Sequence, residues 1–133
     1  MVMKNILAVS VILSGVLSGE VKAEWDKIYS NDRVVTYADT STVRRKGNIV
    51  KLWSLFDFKE ESVYRDGSQY LSIMRETEFN CKDGLQRMVA FSIHSGKMGK
   101  GRMIDSGTTP QDWKPVSKAN IAQDMKTYAC DRE

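Results

Sequence analysis

The chain has 133 residues, with 20 Lys and Arg against 17 Asp and Glu, one histidine and two cysteines. A net charge of +3 falls short of the stronger and more clustered basic excess of a nucleic-acid binder. Two cysteines and one histidine exclude an ordinary four-ligand structural zinc site.

Residues 1–23 read as a targeting segment. Lys4 gives a short basic start, the stretch from Ile6 to Leu17 is apolar apart from Ser10, Ser14 and Gly15, and Val21-Lys22-Ala23 offers small or apolar −3 and −1 positions. This predicts a signal peptide cleaved after Ala23. The apolar stretch falls short of the ~20 residues of a spanning helix, so no transmembrane anchor is expected. No cysteine lies near the cleavage site to carry a lipid. What remains, 24–133, has the length of one domain, and export places it in an oxidising compartment. Cys81 and Cys130, too far apart in sequence for a thioredoxin-like pair, then read as a structural disulfide.

Residues 24–30 carry Trp25, Ile28 and Tyr29, a short first strand, and Asn31-Asp32 is turn chemistry. Residues 33–39, rich in β-branched and aromatic side chains, form a second strand. Residues 44–48 read as a hairpin tip. Residues 49–58 form a third strand, apolar on both sides: Val50, Leu52, Phe56 and Phe58 on one, Ile49, Trp53 and Leu55 on the other. Such a strand is central and covered twice. Residues 59–68 read as a charged connection.

Residues 69–81 alternate cleanly, with Leu71, Ile73, Thr77, Phe79 and Cys81 inward. Lys82-Asp83-Gly84 turns the chain into 85–93, where Leu85, Val89, Phe91 and Ile93 are expected inward and Gln86, Met88, Ala90 and His94 outward. Residues 95–101 form a glycine-lysine loop, and 102–105 another short strand. The period then changes. Ser117 reads as an N-cap, and Ile121, Ala122, Met125, Tyr128 and Ala129 recur at helical spacing. The helix is expected to unwind at Tyr128 or Ala129 so that Cys130 can turn toward Cys81. The fold class is α+β: an antiparallel β-sheet of about six strands, with one C-terminal α-helix packed on a face and tied by the disulfide.

The order of motifs resembles a known family. A tryptophan near the mature start precedes Tyr37-Ala38-Asp39, an Arg-Arg-x-Gly-Asn hairpin at 44–48, Leu52-Trp53-Ser54-Leu55 and a strand closing at Cys81. Trp113-Lys114-Pro115-Val116-Ser117, a helix and Cys130 complete the pattern. This resembles the surface-adhesin protein E family of small exported bacterial domains over essentially the whole mature chain. The resemblance implies a sheet with a disulfide-tied C-terminal helix, and binding of an extracellular protein at the cell surface. Lacking the acylated cysteine of lipid-anchored members, the chain is expected to be periplasmic or secreted, or surface-associated by other means. A small periplasmic accessory protein, for envelope assembly or carriage of a hydrophobic ligand, is the alternative.

No catalytic, cofactor-binding or metal-ligating constellation can be assembled, so no cofactor is expected. His94 reads as an exposed histidine without a nucleophile partner. The glycine-lysine loop lacks the Ser or Thr opening a helix that a phosphate loop requires, so it reads as a hairpin loop. Arg44, Arg45 and Lys46 form a basic tip, either solvated or meeting an acidic partner. Tyr70, Met74 and Met88 are expected to share an outer face, as a patch for an envelope or extracellular protein or for a homodimer. Arg75 and Arg87 fall on the inward phase. Either Asp57 or Glu61 pairs them, or they line a wet ligand groove between sheet and helix.

Overall fold

Eight strands form one antiparallel sheet in the computed structural model, which describes residues 23–132. Residues 1–22 of the expected signal peptide lie outside the described residues. Six strands follow one another across the sheet in chain order: β1 (Trp25–Ser30), β2 (Val34–Asp39), β4 (Ile49–Val63), β5 (Gln69–Asn80), β6 (Leu85–His94) and β7 (Met103–Gly107). The two beyond the expected six are short. β3 (Arg44–Lys46) pairs with the start of β4, and β8 (Lys114–Pro115) with the start of β6. β4 also runs past the expected boundary, because its pairing with β5 resumes at Ser62–Tyr70 after an irregularity that follows Asp57.

The register between β4 and β5 sets the faces. Val50 lies opposite Phe79, Leu52 opposite Thr77, Ser54 opposite Arg75 and Phe56 opposite Ile73. Against this face packs α1 (Asn120–Cys130), whose Met125 and Ala129, four apart and therefore superposed on one stripe, are buried. They meet Ala38, Val50, Leu52 and Phe79 in one core, with Phe79 only 1% exposed. Cys81 and Cys130 are bonded, their Cα atoms 5.7 Å apart.

The helix departs from expectation at both ends. It begins at Asn120, later than Ser117, because the Ser117 hydroxyl accepts from the amide of Ala119 (3.1 Å) and closes a turn of its own. It also continues through Cys130 instead of unwinding. Cys130 lies one position, or 100°, past the buried Ala129, on the flank of the helix, and there it reaches Cys81 without any change of backbone.

The second cover of β4 is the glycine-lysine loop. It folds back over the opposite face through the amide of Met98 to Asp57 Oδ1 (2.8 Å) and that of Gly99 to Ser72 Oγ (2.9 Å). The Ser72 hydroxyl in turn donates to the carbonyl of Gly96 at 2.6 Å. Beneath this loop Leu55 is fully buried.

β6 changes phase part-way. Glu76 pairs with Ala90 but Thr77 with Met88, so Val89 forms a bulge. A one-residue insertion moves every following side chain to the other face. Met88 and Gln86 therefore join Thr77 and Phe79 on the helix face, while Arg87 and Leu85 join Glu78 on the loop face. The clean alternation expected for 85–93 holds only from Ala90 onward.

Candidate functional site

The helix face is only partly covered. α1 lies over the Cys81 end, and between its first turns and the sheet a groove of about 290 Å³ remains. Its walls include Phe56, Phe79, Ile121, Ala122 and Met125, and Arg75 stands in it. A second hollow of about 280 Å³ adjoins it, bounded by Gln86, Met88, Gln111 and Lys114, with Arg75, Thr77 and Gln86 lining both. Arg75 is thus the hinge between an apolar compartment and a polar one.

Arg75 occupies the middle of a cross-strand row, with Ser54 on one side and Phe91 on the other. Its guanidinium lies 4.7 Å from the centre of the Phe56 ring, a cation–π arrangement that fixes its direction. Partial desolvation lowers its pKa from the ordinary guanidinium value, yet the residue as a whole is exposed and stays charged. Among the described residues the ion pairs are Arg87–Glu78 (2.8 Å) and Arg132–Asp26 (3.8 Å), so no carboxylate satisfies Arg75.

The two arginines expected together stand on opposite faces. Arg87, displaced by the bulge, pairs with Glu78 and stacks 4.5 Å from the Trp113 ring centre. Neither arginine pairs with Asp57, which caps the glycine-lysine loop on the face away from the helix, or with Glu61. The expected patch is likewise dispersed. Tyr70 packs edge-on against Phe58 and Tyr64, Met74 lies under Gly99, and Met88 lines the groove.

Two residues of the basic tip have backbone partners. Arg44 Nη1 donates to the carbonyls of Ser41 and Val43, each at 2.9 Å. Arg45 Nη2 donates to the carbonyls of Cys130 (2.8 Å) and Arg132 (3.1 Å), where a cation meets the negative end of the helix. Lys46 is exposed beside them. His94 is not exposed: only 7% of it reaches solvent, because the loop that follows it covers this face. One ring nitrogen, Nε2, is 2.8 Å from Ser92 Oγ, and burial lowers its pKa below the ordinary histidine value. Among the described residues no group of three His, Cys, Asp or Glu is placed to hold a metal ion.

A sequence profile of the surface-adhesin protein E family matches residues 25–131, almost the entire described chain. The chain belongs to the surface-adhesin protein E family. No match was found among curated proteins. Among solved structures the fold is similar to protein E of Haemophilus influenzae in its crystal form II, with a TM-score of 0.64 at 13% identity, over 84% of this chain and 91% of that one. A structure of protein E from non-typeable Haemophilus influenzae is similar at a TM-score of 0.62 and 14% identity, over 84% and 78% of the respective chains.

In this adhesin-E domain the groove residues that sequence reasoning missed are Phe56, Gln86, Gln111, Lys114 and the first turn of α1. By alternation Gln86 reads as outward, and its true face depends on the bulge at Val89, for which the sequence carries no signal. Gln111 reaches the groove through a pairing outside any long strand, its amide donating to the carbonyl of Met88 at 2.9 Å.

Proposed function

We propose that this member of the surface-adhesin protein E family is an exported, non-enzymatic binding protein that recognises an extracellular host protein. The observation that carries the reading is the family match over residues 25–131, supported by the shared fold with Haemophilus influenzae protein E. Adhesion needs rigidity and exposed contact surface rather than a reaction centre. The disulfide-tied helix, the open groove and the exposed Lys46 suit that demand. Export follows from the signal-like residues 1–23, and no described helix is long and apolar enough to cross a membrane. Solid-phase binding of the oxidised domain 24–133 to immobilised extracellular-matrix proteins tests the reading. Saturable capture is expected; equal retention on matrix and on albumin overturns it.

The apolar side chains at one end of the groove, Phe56, Phe79, Ile121, Ala122 and Met125, support a second reading, a periplasmic accessory protein carrying a small hydrophobic ligand. Native mass spectrometry of protein recovered from its own cells separates the two. A co-purifying apolar ligand supports carriage, and a bare domain supports adhesion. Homodimerisation is a further proposal, and sedimentation showing a monomer at micromolar concentration disposes of it.

A further inference from the structure

We infer that the groove between α1 and the sheet is a docking site for an acidic peptide segment, in which Arg75 takes a carboxylate and the apolar compartment takes a neighbouring side chain. The inference rests on the binding-protein reading above and adds to it the site and the chemistry of the partner.

Charge complementarity carries the argument. Arg75 is a guanidinium without a carboxylate among the described residues, held over Phe56 and partly desolvated between apolar walls. A cation whose direction is already fixed by the ring beneath it gives up less freedom in pairing with an incoming anion than a freely rotating one does. Its planar fork suits a carboxylate, which it can hold through two parallel hydrogen bonds. Lys114, exposed on the rim, adds a second positive charge on the same side. The rim also includes the first turn of α1, where no acidic side chain competes for the anion.

The shape selects a peptide over an acyl chain. An acyl chain wants one continuous apolar slot. Here a space lined by Phe56, Phe79, Ile121, Ala122 and Met125 gives way at Arg75 to one edged by Gln86, Gln111 and Lys114. Each space is the size of one or two side chains, and the two glutamines offer amide donors and acceptors to a peptide backbone. An apolar residue followed by Asp or Glu meets both compartments at once.

The test is an NMR titration of the oxidised domain 24–133 with acetyl-Leu-Glu-amide, following the methyl signals of Met88 and Met125 and the Nε–H signal of Arg75. The inference expects all three signals to move together, and binding about tenfold weaker for acetyl-Leu-Gln-amide. The R75Q variant is expected to lose the preference for Glu over Gln while keeping the wild-type fold, as its amide spectrum reports. Shifts confined to other surfaces, equal affinity for the two peptides, or saturation by dodecanoate with none by the peptide would each overturn the groove assignment. So would equal capture of a matrix protein by wild type and R75Q, an outcome that leaves the binding-protein reading standing. Failure of wild type to capture any matrix protein, with the peptide still bound at Arg75, breaks the adhesion reading and keeps the groove.

Discussion

Removing the disulfide tests how the helix is held. The double variant C81A/C130A leaves no free thiol and opens the bond between residues separated by 49 positions. Closing a loop of about 50 residues restricts the denatured chain by an entropy worth about 4 kcal/mol at 25 °C. That is a large part of the ~5–15 kcal/mol that stabilises a domain of this size. Contacts of Met125 and Ala129 with Phe79 and Leu52 survive the change, so the helix should still dock in the folded state. The loss should therefore appear in global unfolding. Guanidinium denaturation should show stability lower by about 4 kcal/mol, and a larger m as the unlinked denatured chain exposes more surface. Thermal melts should fall by about 15–20 °C. A loss under about 1 kcal/mol with m unchanged would refute the reasoning, since packing alone would then hold the helix and the bond would be incidental.

Other consequences follow from single residues. Gly99→Ala places a Cβ 2.9 Å from Met74 Sδ at a backbone φ of +73°, and should cost about 1–3 kcal/mol in chemical denaturation while loosening the loop over Leu55. His94, buried neutral, takes up a proton more readily unfolded than folded, so stability should rise with pH from its lowered folded pKa up to the ordinary value near 6.5. Melting temperatures measured across pH 4–8 should show this slope, and His94→Gln should flatten it. Arg45→Ala removes the guanidinium bonds to the carbonyls of Cys130, at the end of α1, and of Arg132 just beyond it, and should lower stability by about 1 kcal/mol, with faster amide exchange at the helix end. Phe79→Ala, at the centre of the core, should cost about 3–5 kcal/mol by urea denaturation.

The particular residues show which parts of the fold the sequence displays. Alternation in β5 displays its helix-side face, because Ile73, Thr77 and Phe79 pair with Phe56, Leu52 and Val50 of β4, but Ser72, on the phase that reads as outward, is fully buried where the 95–101 loop covers it. The helical stripe from Ile121 to Ala129 and the terminal disulfide are legible for the same reason: local period and cysteine count are one-dimensional signals. What was not legible depends on pairing between distant segments. Only a partner strand can show that Val89 bulges, and with that bulge go the faces of Arg87, Met88 and Gln86. Likewise His94 reads as surface until the 95–101 loop is seen folding over it. The two-sided apolar character of β4 did announce a second cover, without naming the loop that supplies it. Of the groove, Arg75 was legible as an inward cation, but its isolation from carboxylates appears only when Asp57 is seen on the opposite face, occupied by Met98.

The most direct test of the binding role uses intact bacteria producing the full 133-residue chain. Their attachment to a matrix-coated surface is compared with that of cells lacking the chain, before and after treatment with an external protease. The account predicts greater attachment by producing cells, lost together with the chain when the protease acts. Equal attachment by both strains, with the chain surviving the protease untouched, would contradict it.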